Sequence, residues 1–251
     1  MQQKHLKKAA TKNIRSAKRA LLSFIKKGDQ EKLHRFRTSV KKLRALAQMA
    51  GQASRGARLL RSLKPIRKIY KPGGKIRDCY QHLELGKQEQ AGPGYLADQE
   101  NQMEKAIVLF CRDKKKHLKR IRRSKKSLLK KLRPVKDIKL TLFYEQELRA
   151  VAEVFNNNPN DEELHTGRKR IKVLLYNLPL VRHILNMPVS EDYLDEVQTA
   201  IGNWHDLLLA GEIFPVLQKK AQTLRDQLRY QTNDFYDRAT GPVAAAHQQA
   251  D

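Results

Sequence analysis

A nine-residue phrase occurs twice in this chain, and its internal spacing fits a helix. Leu33-His34-x-x-Arg37-x-x-Val40-Lys41 returns 131 residues later as Leu164-His165-x-x-Arg168-x-x-Ile171-Lys172. On an α-helix, His34, Arg37, Lys41 and Arg44 fall at steps of three and four and form one stripe. Leu33, Phe36, Val40, Leu43 and Ala47 keep the same rhythm one residue earlier, about 100° around the axis. The apolar stripe predicts a helix anchored in a core, and the basic stripe predicts an edge of that core that attracts an anion.

A second pair of phrases follows in the same order. Gly74-Lys75-Ile76-Arg77-Asp78 matches Gly202-Asn203-Trp204-His205-Asp206 at an offset of 128. Two matches in one order predict an internal duplication. Period-two alternation is nearly absent while the helical period dominates, so the fold class expected is all-α. Gly, Pro and Asn clusters mark out roughly eight helices. The first spans about 2–27, the second starts at the N-cap Asp29, and the third covers about 53–85 with an interruption at Lys71-Pro72-Gly73-Gly74. A long fourth helix is expected over about 96–132, a fifth over 137–156, and a sixth opening at Asn160 with Glu163 completing a capping box. A seventh begins after Pro188-Val189-Ser190 and an eighth runs from about 215 to 238. The organisation expected is therefore two four-helix bundles, 1–135 and 136–240, with 241–251 as a flexible tail.

Fifty-two Lys and Arg against 26 Asp and Glu leave a net charge of +26. Self-repulsion on that scale points to a polyanionic partner. With 40% hydrophobic residues the chain can still bury a core, so the charge does not imply disorder. Cys79 and Cys111 fit no disulfide or zinc framework and read as reduced packing residues of a cytosolic protein. No apolar h-region and no run approaching 18 apolar residues is present, so neither a signal peptide nor a membrane span is expected.

His34 and His165 raise metal and phosphoryl-transfer readings. Neither has a His, Cys or carboxylate at i+3 or i+4, and their helical neighbours are cations, so no metal site is expected. As a catalytic base either would need a carboxylate to orient it, for which Asp78 or Asp206 are the candidates; as an anion contact neither needs one. Arg37 and Arg168 suit phosphate, because guanidinium binds it in a bidentate geometry and stays charged. Asp78 and Asp206 read as structural partners of Arg77 or another cation. Along the fourth helix, Lys114 and Lys125 fall on a line with Ile107, Phe110, Ile121 and Leu128, and so interrupt an otherwise apolar face. Each either snorkels outward or enters a wet groove. Trp204 reads as core, and Gly73-Gly74 as a turn. Aromatic residues do not interleave with the basic stripes, so stacking platforms for single strands are not apparent.

The phrases LHRFRTSVKKLRAL with GKIRDC, and LHTGRKRIKVLL with GNWHDL, resemble the CHAD family, the conserved histidine α-helical domain. The likeness spans about residues 5–238. It implies two pseudo-symmetric four-helix bundles with a basic central cleft or pore, binding of inorganic polyphosphate, and association with polyphosphate granules. By resemblance His34, Arg37, Lys41, Arg44, Arg77, His165, Arg168 and Lys172 would contact the ligand, and Lys114 and Lys125 join them on the groove argument. Leu175 stands where Arg44 stands in the first repeat, and Val173 replaces Lys42. Many relatives add a triphosphate-processing CYTH domain that is not legible here, so the expectation is binding without catalysis and without a cofactor. A nucleic-acid binder and a phosphohydrolase or phosphotransferase using His34 or His165 are the competing classes.

Overall fold

Local signals set most helix ends in the computed structural model, which describes residues 1–53 and 57–241. Helix α1 (Gln3–Lys27) stops where Gly28 turns left-handed at φ 70° and returns its N–H to the Phe24 carbonyl. Helix α2 (Gln30–Ala50) starts at Asp29, whose carboxylate accepts from the N–H groups of Glu31 and Lys32. Five further segments complete the first half: a 3₁₀ turn at Gly51–Ala53, α3 (Ala57–Ser62), α4 (Lys64–Gln88), α5 (Pro93–Arg112) and α6 (Lys114–Lys131). In the second half come α7 (Asp137–Asn156), α8 (Asp161–Val181), α9 (Glu191–Ile213), α10 (Gln218–Thr232) and α11 (Phe235–Thr240). The described residues contain no strand, in agreement with the all-α expectation. No described helix is long and apolar enough to cross a membrane.

The chain divides into two units, residues 1–135 and 136–251. In the first, α1, α2, α4 and α6 form a ring of neighbours, so that α2 and α6 stand on diagonal corners. Helix α3 fills the space between α2 and α6, and α5 lies outside the ring on α4. In the second unit α7, α8, α9 and α10 form the corresponding ring, with α11 packed on α7 and α9. Each core is the apolar stripe read from the sequence: Leu33, Phe36 and Leu43 are fully buried in one, Ile171, Leu174 and Leu178 in the other.

Four expectations need correction. The helix expected over 53–85 breaks at Leu63 into α3 and α4. Lys71-Pro72-Gly73-Gly74 does not interrupt a helix; α4 continues through it. Pro72 lies on the exposed side with Lys68, where water can serve the carbonyl that its missing N–H leaves unbonded. Gly73 and Gly74 face inward and are held helical by what packs on them: a Cβ at Gly73 would stand 3.2 Å from Leu33 and 3.6 Å from Phe110. The long fourth helix breaks at Asp113 into α5 and α6, and the eighth breaks at Asn233 and Asp234, where Asp234 has φ 52°. The tail beyond Gly241 lies outside the described residues.

The buried face of α6 differs from the line expected through Lys114 and Lys125. The buried line of α6 is His117, Ile121, Ser124 and Leu128. Its centre is rotated by roughly 70° from Lys125, by the 100° step of a helix. Lys114 occupies the first residue of the new helix, and both lysines are exposed. His117 and Ser124 are buried instead: Ser124 Oγ accepts from the Ile66 N–H at 3.1 Å, and His117 Nε2 meets the Phe110 carbonyl at 3.0 Å. Trp204 is core, at 1% exposure.

Candidate anion site

The basic stripe of α2 faces α4, and Arg37 joins the two helices. Its Nη1 donates to the Tyr70 carbonyl at 3.1 Å, and its guanidinium carbon stands 4.4 Å from the centre of the Tyr70 ring. One turn beyond Tyr70 is Gly74, where a Cβ would lie 2.6 Å from that same Nη1. The guanidinium therefore occupies the space that any side chain at this position would need. Arg77 follows one turn later on α4, with its guanidinium carbon 5.0 Å from the centre of the Tyr80 ring. One of its terminal nitrogens is buried without a hydrogen-bond partner among the described residues. A buried charged donor left unsatisfied is costly, and an anion would satisfy it.

His34 reports the field of this cluster. Desolvation by its neighbours and then the Arg77 charge push its imidazole below the ordinary histidine range, with Lys41 and Arg37 adding to the effect and Glu31 opposing it. Arg77, Lys41 and Arg37 are thus all near enough to act on His34. His34, Lys41 and Arg44 are exposed, whereas Arg37 and Arg77 are half-buried. The His34 ring meets the Thr38 hydroxyl at 3.4 Å rather than a carboxylate. Asp78 and Asp206 are both exposed, and among the described residues neither forms a salt bridge, so the expected pairing with Arg77 is not made.

The same joint recurs between α8 and α9. Arg168 Nε donates to the Gln198 carbonyl at 2.9 Å, and a Cβ on Gly202 would collide with the Arg168 guanidinium, 2.9 Å from its carbon. In each unit the accepting carbonyl lies four residues before the glycine, Tyr70 before Gly74 and Gln198 before Gly202. His165 stacks on His205, ring centres 4.3 Å apart and 26° between planes. His205 stands where Arg77 stands in the first unit, a correspondence that the matched phrases carry and the basic stripes do not. Lys172 donates to Gln198 Oε1 at 2.9 Å, and the Gln198 amide in turn donates to Asp195 at 2.8 Å.

Lys114 and Lys125 are not brought to either joint. They project from α6, which stands diagonally across its bundle from α2.

The charge is divided very unequally. Residues 1–135 hold 39 Lys and Arg against nine Asp and Glu, a net +30. Residues 136–251 hold 13 against 17, a net −4, which returns the total of +26. Among the described residues no group of three or more His, Cys, Asp or Glu could hold a metal ion. Cys79 and Cys111 are free and half-buried, and desolvation raises both thiols above their ordinary range.

The backbone resembles the crystal structure of the CHAD domain from the plant Ricinus communis. The TM-score is 0.67 at 15% identity, over 92% of this chain and 86% of that one. No curated protein matches the chain. The family model for the CHAD domain matches residues 8–215, which takes in both arginine–glycine joints. This chain belongs to the CHAD domain family.

Proposed function

We propose that the protein binds inorganic polyphosphate without transforming it, and that the cluster on α2 and α4 is where the chain is held. The observation that carries this reading is the cluster itself: Arg37, Lys41 and Arg77 close enough to depress His34, with a buried Arg77 nitrogen lacking a partner. Such a site is short of negative charge at several points along a line, which suits a linear chain of phosphates. Membership of a family linked to polyphosphate supports it. Duplication of one four-helix unit accounts for the twin joints, and the reading places the protein in the cytoplasm, at polyphosphate granules.

A phosphohydrolase would need an oriented imidazole, and the Thr38 contact of His34 does not supply the carboxylate. Nucleic acid would share the electrostatic attraction, and competition separates the two ligands. The test is competition between long polyphosphate and duplex or single-stranded DNA of equal charge at moderate salt, with phosphate release followed alongside. Tighter binding of polyphosphate without release is the expected result. Equal competition would mean a plain electrostatic surface, and steady release of phosphate would mean an enzyme.

A further inference from the structure

The twin joints give a register in which the two units can be compared position by position, and the comparison is lopsided. At the offset of 128 that carries Gly74 onto Gly202, the exposed Lys64, Arg67 and Lys68 of α4 become the exposed Asp192, Asp195 and Glu196 of α9. Lys71 and Lys75 become Thr199 and Asn203, again exposed in both units. The fold is kept while five cations become three anions and two neutral groups.

The site residues follow the same trend. Arg44 is replaced by Leu175 and Arg77 by His205. Lys172 retains the place of Lys41, but it is directed onto Gln198, which leans on Asp195. The concavity beside Lys172, about 340 Å³, is lined by Glu191, Asp192 and Asp195. Arg182 pairs with Glu191, which leaves Asp192 and Asp195 around the one ammonium, and that balance offers a phosphate chain no net attraction.

Resting on the polyphosphate reading, we infer that the ligand is bound by the first unit alone, and that the acidic edge of α9 excludes it from the second. His34, Lys41, Arg44 and Arg77 then determine affinity. Arg168, which keeps its joint with Gly202, holds α8 to α9 and contributes nothing to binding.

Full-length variants and a long polyphosphate titrated over a range of salt test this. His34→Gln with Lys41→Gln and Arg44→Gln changes three exposed side chains of the first unit. Affinity should fall on the order of 10²-fold, since the charge-assisted contacts of Lys41 and Arg44 are lost, each at the weak end of the range expected for exposed groups. The slope of log affinity against log salt should flatten by roughly two to three. His165→Gln with Lys172→Gln should change affinity by less than about twofold and leave the slope alone, within the effect of a general screening term. Asp192→Lys with Asp195→Lys and Glu196→Lys should tighten binding several-fold and steepen the slope. Circular dichroism checks that each variant is helical. Similar losses in the two glutamine variants, or no gain from the lysine variant, would overturn the inference while leaving polyphosphate binding intact. A wild-type protein that fails to bind would overturn the functional reading itself, an outcome that no pattern among the variants can imitate.

Discussion

Replacing Gly74 by alanine tests whether the Arg37 joint is a real determinant of both fold and site. Alanine in a helix interior is favoured over glycine by about 0.8–1.0 kcal/mol, so a glycine with open space around it should gain on substitution. At Gly74 the new methyl would stand 2.6 Å from Arg37 Nη1. The guanidinium is the end of a flexible side chain and gives way first, and with it go its bond to the Tyr70 carbonyl and its place over the Tyr70 ring. A hydrogen bond from a charged donor contributes about 1.5–3 kcal/mol, and a cation–π contact near the surface about 0.5–1. The net cost expected is about 1–3 kcal/mol after the gain in propensity. In an Arg37→Ala background nothing remains to be displaced, and the same substitution should stabilise by about 1 kcal/mol. The sign reverses, giving a coupling of roughly 2–4 kcal/mol between two residues 37 apart in sequence. Urea unfolding followed at 222 nm measures all four corners of the cycle. Gly94→Ala, where nothing lies within 4 Å of the new methyl, is the control and should be neutral or stabilising. An equal cost for Gly74→Ala in both backgrounds would refute the argument, because the glycine would then be required for some reason other than Arg37.

Three further outcomes follow from the same structure. His34 has a depressed pKa in the free protein, so its neutral form contributes stability above the ordinary histidine range of about 6.5, lost as pH falls through the folded value. A bound polyanion favours the imidazolium, so polyphosphate should bind more tightly as pH is lowered below neutrality, with proton uptake. Calorimetry in buffers of different ionisation enthalpy measures it, and His34→Gln should abolish it. Asn160→Ala removes the capping box at the start of α8, in which Asn160 and Glu163 bond reciprocally at 3.0 and 2.8 Å. The loss should be about 1 kcal/mol by urea unfolding, without effect on binding. Lys114→Gln with Lys125→Gln should reduce polyphosphate affinity only a few-fold by screening, as for any exposed pair of bases; a loss matching that of the α2 stripe would place α6 in the site.

Punctuation in the sequence was readable wherever the punctuating residue is also the structural cause. Gly28 reverses the backbone, and Asp29, Asn160 and Ser190 bond the first turns of their helices, so those boundaries were legible. Asp113 ends a helix with no glycine or proline to announce it. Within α6 two of the four buried places are polar, His117 and Ser124, so the apolar pattern alone drew the core line toward Lys125. At residues 71–74 the error ran the other way. Pro72 and two glycines look like a break, but the missing side chains are spaces that Leu33, Phe110 and Arg37 fill, and packing overrides local propensity there. Within the site, the α2 stripe was readable because it lies on one helix. Tyr70 was not, since its part depends on which helix lies alongside, and His205 is marked only by its place in the matched phrases. The division of charge could have been counted from the sequence alone once the boundary near residue 135 was drawn.

A first unit of net +30 is, in solution terms, a polyelectrolyte that happens to be folded. Its like charges are closest together in the native state and relax when the chain expands, so counterions serve as part of its scaffold. Dissolved salt should raise its melting point, whereas the nearly neutral second unit should be indifferent. A ligand that neutralises many charges at once stabilises the native state in proportion to the logarithm of its concentration. On the proposed reading, polyphosphate would then act as a conditional folding cofactor for residues 1–135.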